Sequence, residues 1–330
     1  MIDFSHLSNL PIVDSHVHFI HPECTDEMLS LFDTIGYRAA NLVCLPNPDG
    51  TTQNDIAMAF KRQYPDRIFV SGAVEYALLM EDLQLFTDDL PRQVHALIEQ
   101  GFDGMKMIEG KPNVRKLVKL PLDDPAYDGL WHTLEQEQFP LVLHIADPDF
   151  FWDAARCPDW AKENDWDYSD GTYPSISQLH AEVDHILARF PQLPLTLAHF
   201  KFMSTDLPAA AEFLSKHPSV SFDLAPHMDM YTDFSENHAA ASEFFIAHSD
   251  RILYGTDLDT RVLKRGPEGH TFMLSVASLI RNFLEINGAF THRNGKTYHG
   301  LNLPEDVLRK IYYQNFERIY TKMPATTGGS

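Results

Sequence analysis

Two histidines one residue apart are the first chemically pointed feature of this 330-residue chain: His16 and His18, in Val13–Asp14–Ser15–His16–Val17–His18–Phe19. The segment is apolar and β-branched enough to read as a strand, and residues two apart on a strand share a face. Both imidazoles therefore converge at the strand's end while Val17 faces the other way. Three further polar groups occupy matching positions. His144 closes Leu141–Val142–Leu143–His144, His199 closes Leu195–Thr196–Leu197–Ala198–His199, and Asp257 closes Leu253–Tyr254–Gly255–Thr256–Asp257. Singly, each serves as well for a hydrogen-bonded core residue as for a ligand. Together, four imidazoles and a carboxylate would be costly to bury without compensation, and a divalent cation supplies it.

Other groups belong to the same end of the chain's strands. Lys106, in Gly104–Met105–Lys106–Met107–Ile108, alternates with two methionines and so points inward, where it pairs with a carboxylate or meets the substrate. Glu109 follows it as an inward-facing loop residue. Lys111, Arg115, Lys116 and Lys119 come next, and Arg261, Lys264 and Arg265 follow Asp257. Such cations can grip a carboxylate, Arg with two parallel hydrogen bonds, or simply balance acidic surface. His227 follows Val220–Leu224 and faces the same region. The expected substrate contacts are Lys106, Trp152, Tyr173, His227 and Arg261.

The elements that must position these groups alternate. Eight apolar runs read as strands: Ile12–Phe19, Ala39–Leu45, Ile68–Val74, Gly104–Ile108, Leu141–Ala146, Pro194–Phe200, Val220–Leu224 and Ile252–Asp257. Amphipathic stretches such as Asp55–Tyr64, Leu85–Gln100, Ala126–Glu137 and Ile176–Phe190 lie between them. This alternation predicts an α/β fold, a (β/α)₈ TIM barrel, whose catalytic groups sit at the C-terminal ends of the strands. No Gly-rich turn follows the first strand, which argues against a nucleotide-binding open sheet. Asp147–Ser175 is an aromatic-rich insertion after the fifth strand, long enough to act as a lid. After the eighth strand come a helix near Thr271–Glu285, a polar stretch to Gly300 and a last helix near Glu305–Tyr320. No linker divides the chain, so residues 1–323 read as a single domain and 324–330 as a disordered tail.

These motifs carry a resemblance. Val13–Asp14–Ser15–His16–Val17–His18, Leu143–His144, Ala198–His199, Gly255–Thr256–Asp257 and the C-terminal Ile311–Tyr312–Tyr313–Gln314–Asn315–Phe316 resemble, in order and spacing, the amidohydrolase superfamily. Within it the likeness is to the branch that contains aminocarboxymuconate-semialdehyde decarboxylase and related metal-dependent hydrolases. The resemblance implies that His16, His18, His144 and Asp257 hold one divalent metal, zinc before manganese or iron. His199 is then a catalytic group beside it or a ligand to a second ion. A second metal, bridged by a carboxylated Lys106, is the less expected arrangement. The branch often forms dimers, so a homodimer is expected.

Such a site activates water and polarises a carbonyl. With Asp257 and His199 as the catalytic pair, the expected reaction is hydrolysis of an ester, lactone or amide in a small, anionic carbonyl substrate. Non-oxidative decarboxylation of a small carboxylic acid uses the same residues and is the alternative.

Composition narrows the partners. Lys plus Arg number 26 against 47 Asp plus Glu, a net charge of −21, which repels nucleic acid and anionic membranes. No apolar run reaches the roughly 20 residues of a membrane helix, and the first residues lack a leader's pattern. Three widely spaced cysteines form no zinc knuckle or disulfide frame. The expectation is a cytoplasmic enzyme acting on a small molecule.

Overall fold

A computed structural model describes residues 2–47, 49–227 and 229–321; the tail expected at 324–330 lies outside them. Nine strands form one sheet, every pairing in it parallel. They are β1 (Ile12–His18), β2 (Tyr37–Val43), β3 (Ile68–Gly72), β4 (Gly104–Gly110), β5 (Leu141–Ile145), β6 (Leu195–Leu197), β7 (Val220–Asp223), β8 (Ile252–Leu253) and β9 (Leu258–Asp259). The order β8-β7-β6-β5-β4-β3-β2-β1-β9 closes on itself, because β8 and β9 are two pieces of one broken strand. β8 pairs with β7, β9 pairs with β1, and between them Ser15 N–H reaches Tyr254 O and Asp257 N–H reaches His16 O, each at 2.9 Å. The result is the expected TIM barrel. The expected eighth strand, Ile252–Asp257, thus differs in detail: Asp257 takes φ 57°, which breaks the ladder between β8 and β9.

Crossover helices follow the strands: α1 (Thr25–Ile35), α2 (Asn54–Gln63), α3 (Leu83–Glu99), α4 (Asp128–Gln136), α5 (Ile176–Arg189), α6 (Leu207–Lys216), α7 (His238–Ala247) and α8 (Pro267–Glu285). Local chemistry starts them. Asp82 caps α3 by accepting from the N–H groups of Gln84 and Leu85, and Ser175 and Gln178 form a reciprocal capping box on α5. One hydrophobic cluster between sheet and helices runs from Ile12 to Tyr312.

Two features differ from the sequence reading. The polar stretch before Gly300 is an antiparallel hairpin, β10 (Asn287–Thr291) and β11 (Thr297–Leu301), turning at Asn294–Gly295 with Gly295 at φ 81°. The last helix is a run of three segments, Glu305–Arg309, a π turn at Lys310–Gln314, and Asn315–Tyr320. It plugs the barrel's floor. Phe316 and Tyr320 pack against Val13, Ala39 and Leu253, and Asn315 Nδ2 donates to Ser249 O and Ile252 O, both at 2.8 Å. With the floor sealed, the strands' C-terminal ends are the face left open for chemistry.

Candidate metal centre and pocket

β1 delivers His16 and His18 to the same end of the barrel, ring centroids 5.3 Å apart. The broken eighth strand brings Asp257 against them, its Oδ1 3.1 Å from His18 Nε2 and 3.6 Å from His16 Nε2. One ligand atom from each of the three lies within 4.8 Å of the others. From β5 and the exit of β6, His144 Nδ1 and His199 Nε2 meet at 3.2 Å, and the His199 ring is 5.3 Å from that of His16. Lys106 Nζ stands 3.4 Å from His16 Nε2. The strand-end residues of the sequence analysis form one cluster.

Three of the four imidazoles are held by their other nitrogen, whereas the buried His18 Nδ1 has no partner among the described residues. His16 Nδ1–H donates to Asp223 Oδ2 at 2.8 Å, which leaves the Nε2 lone pair facing the cluster. The other oxygen of Asp223 accepts the His199 backbone N–H at 2.8 Å, and His199 Nδ1–H donates to Ala225 O at 3.1 Å. His144 Nε2–H donates to Ala146 O at 2.9 Å, with Asp147 Oδ1 at 3.3 Å. These tautomers follow from the bonding network. Asp14, fully buried, accepts the N–H groups of His16 and Thr256 and the Thr256 hydroxyl, stapling β1 to the segment that carries Asp257.

The backbone at β6 is unusual. The expected strand Pro194–Phe200 stops at Leu197, and His199, Phe200, Lys201 and Phe202 follow with φ of 55°, 55°, 55° and 53°. This left-handed turn swings His199 into the cluster.

Burial sets the protonation states. Desolvation, with Lys106 adding to it, drives the His16 imidazole well below its ordinary value; desolvation and the neighbouring His144 do the same to His199. Burial lowers His144 as well, so His16, His144 and His199 are neutral. His144 Nδ1 and His199 Nε2 then present two lone pairs to each other with no proton between them. Desolvation would raise the Asp257 carboxyl, but the hydrogen bond from His18 and the surrounding imidazoles outweigh it and keep the group ionised. Desolvation lowers Lys106 to about 8, against the pull of Asp223 and Asp257. Converging lone pairs from neutral imidazoles and one carboxylate are a donor set that fits a divalent ion.

A cavity of about 350 Å³ opens above the cluster. His144, His199 and Asp257 reach its floor, and Lys111, Phe151, Trp160, Trp166, His227 and Tyr298 are among its walls. The expected substrate contacts are placed unevenly. His227 lines the cavity, and Lys106 lies beside His16 beneath it. Trp152 and Tyr173 turn into the insertion's own small core, Trp152 donating to Pro174 O at 3.0 Å and packing 4.8 Å from the Tyr168 ring. Arg261 folds back on Asp259 with Nε–Oδ2 of 2.7 Å. Of the other cations, Arg115 is spent on buried Glu182 and Lys264 on Glu23. Glu109, expected in a loop, is buried on β4.

Asp223, Asp147 and the hairpin residues Asn294 and Tyr298 escaped the sequence analysis. Asp223 had a signal: it ends Val220–Ser221–Phe222–Asp223 at the strand-end position shared by the clustered histidines. The hairpin had one too, Asn294–Gly295 between Phe290 and Tyr298.

Comparison with known proteins agrees with the barrel and its motifs. The amidohydrolase family model matches residues 13–322, and the chain belongs to that family. No curated protein sequence matches it. Among solved structures, 2,6-dihydroxybenzoate decarboxylase from Rhizobium is similar in fold, with 16% identity, TM-score 0.56, and 94% of this chain and 98% of that chain covered. A 5-carboxyvanillate decarboxylase from Novosphingobium aromaticivorans, solved with manganese and 4-hydroxy-3-methoxy-5-nitrobenzoic acid, has 13% identity, TM-score 0.55 and coverages of 95% and 96%. A probable 2-pyrone-4,6-dicarboxylic acid hydrolase from Acinetobacter baumannii, with citric acid bound, has 13% identity, TM-score 0.52 and coverages of 94% and 98%. At these identities the likeness is one of fold. Among the described residues, no helix is long and apolar enough to cross a membrane.

Proposed function

We propose that this protein is a metal-dependent hydrolase that cleaves an ester, lactone or amide bond in a small, anionic carbonyl compound. The supporting observation is the pair of lone pairs, His144 Nδ1 and His199 Nε2, set 3.2 Å apart beside His16, His18 and Asp257. His16, His18, His144 and Asp257 would hold the ion, zinc before manganese or iron. A bound divalent ion supplies an acidified water and polarises a carbonyl at neutral pH. Asp257, its side chain 37% exposed into the pocket, accepts the attacking water's proton and returns it to the leaving group. His199, fixed by Asp223 and Ala225, turns its Nε2 lone pair toward the reacting groups as a second hydrogen-bond acceptor beside Asp257. Phe151, Trp160 and Trp166 shield the reaction from bulk water, and His227 meets the substrate's far side.

A decarboxylase is the second reading. Lys106, beside the donor set, favours it, because an ammonium there can receive the carboxylate such an enzyme must hold. One experiment separates the two on a panel of esters, lactones and carboxylic acids in ¹⁸O water. Label in the product supports hydrolysis; carbon dioxide release without label overturns it in favour of the lyase.

A further inference from the structure

The insertion after β5 does more than wall the pocket. Its chain folds over a core of its own, Phe150, Phe151, Cys157, Ala161 and Tyr168. From that core the Tyr168 hydroxyl donates to Asp147 Oδ2 at 2.6 Å. Lys111, on the loop after β4, grips both oxygens of the same carboxylate at 2.6 Å and lies 4.3 Å from the centre of the Trp166 ring, a second residue of the insertion. The remaining contact of Asp147 is His144 Nε2 at 3.3 Å. Asp147 is 3% exposed and Tyr168 1%, so water offers neither a substitute partner.

We infer that the insertion is a positioning element for the metal centre: through Tyr168 and Lys111 it fixes Asp147, and Asp147 holds His144 with Nδ1 turned toward the ion. The inference rests on the metal-dependent reading above. The carboxylate accepts from three sides, and each bond constrains the other two. Remove the tyrosine hydroxyl and Asp147 keeps its lysine, but the carboxylate loses one of the two donors on Oδ2. It can then rotate toward Lys111 and away from His144. The imidazole is left with Ala146 O alone, and that single bond does not fix the ring's tilt. Partners of this kind, one bond removed from the ligand, change metal affinity by about 10- to 100-fold when lost. Two of the insertion's pocket residues, Phe151 and Trp166, also belong to or pack on the same small core as Tyr168. The surface that contacts substrate and the surface that steadies a ligand are one rigid unit.

The test is metal affinity, which needs no substrate. Zn²⁺ and Mn²⁺ affinities of the full chain are measured by competition with a chromophoric chelator, with thermal melting alongside. Tyr168→Phe is expected to weaken binding about tenfold, and Asp147→Asn by at least as much, with the melting transition of the metal-free proteins still cooperative. Thr172→Val, which removes an exposed tether between the insertion and Lys116, is expected to bind as wild type does. Wild-type affinity in both Tyr168→Phe and Asp147→Asn overturns the inference, and so does an equal loss in Thr172→Val, since any loosening would then suffice. Failure of the wild-type protein to bind either ion is a different result: it removes the metal-dependent reading itself.

Discussion

Asp223→Asn exchanges one carboxylate oxygen for an NH₂ group and removes one negative charge, yet it should disable the centre. Asp223 is fully buried and does two jobs with two oxygens. Oδ1 accepts the N–H groups of His199, at 2.8 Å, and Ala225, at 3.1 Å; Oδ2 accepts His16 Nδ1–H at 2.8 Å. An amide offers one acceptor. The two backbone donors claim it, since turning the NH₂ toward them would set donors against donors. The NH₂ then faces His16 and forces the opposite tautomer, with Nδ1 accepting and the proton on Nε2. That proton sits where the lone pair must meet the ion. A hydrogen bond to a charged group contributes about 1.5–3 kcal/mol, and about 1.4 kcal/mol is tenfold in an equilibrium, so affinity should fall roughly 10- to 100-fold. The assay is Zn²⁺ competition at pH 7, with a thermal melt to show that the barrel persists. Affinity within twofold of wild type in a folded protein would refute the assigned tautomer and with it the reading of Asp223 as the group that aims His16.

Three further outcomes follow from the geometry. Asp257→Asn should lower turnover by orders of magnitude while leaving the metal-free melting temperature within a few degrees, because the side chain opens on the pocket rather than the core; full activity would contradict its role in proton transfer. Desolvation, helped by Lys201, holds the His180 imidazole at about 3, and its buried Nε2 has no partner among the described residues. Its folded value lies below the unfolded 6.5, so the stability it contributes is complete above pH 6.5 and is lost as pH falls toward 3, by up to about 1.4 kcal/mol per pH unit. His180→Gln should therefore flatten the fall of the urea midpoint between pH 6 and pH 4, and an unchanged slope would count against this. A Cβ on Gly110 would stand 2.5 Å from His144 O, so Gly110→Ala must push β4 away from β5 beside His144. The expected cost is about 1–3 kcal/mol and a melting temperature lower by several degrees, and an unchanged melt would show that the strands yield freely.

The barrel was legible because parallel strands buried on both faces write themselves as short apolar runs, and seven of the eight runs became strands within a few residues of the expected limits. The clustered polar residues were legible for a related reason: a polar residue closing such a run stands out against it. What the sequence concealed was whatever depends on distance through space. Lys111 and Arg115 are both cations after β4, yet one lines the pocket and the other pairs with Glu182 on α5. Nothing local separates them. Trp152 and Trp166 are both insertion tryptophans, and which one faces the cavity is decided by how the insertion's core closes around Phe151 and Tyr168. Arg261 has its partner two residues earlier, Asp259, which also caps the short helix it begins; here a local signal was available and outweighed the analogy to a substrate grip.

The turn after β6 shows how the core bears the cost of the site. Four consecutive non-glycine residues, His199 to Phe202, take left-handed backbone angles, and each carries a penalty of about 1–2 kcal/mol, roughly 4–8 kcal/mol together. That is comparable with the whole net stability of many domains, so something must oppose it. Phe200 does. Its ring is fully buried, with neighbouring ring centroids at 4.9 Å for Phe222 and Phe234, 5.4 Å for Phe244 and 6.2 Å for Phe245. Burial of such a side chain is worth about 1.5–3 kcal/mol, and each well-placed aromatic pair about 0.5–1.5 kcal/mol more, a sum of the same size as the strain. The geometry leaves little choice of which way the turn can go. With Phe200 driven outward into the helices, the residue before it must face the barrel's mouth, and that residue is His199. An apolar clamp of four rings on one side of the sheet thus aims an imidazole on the other.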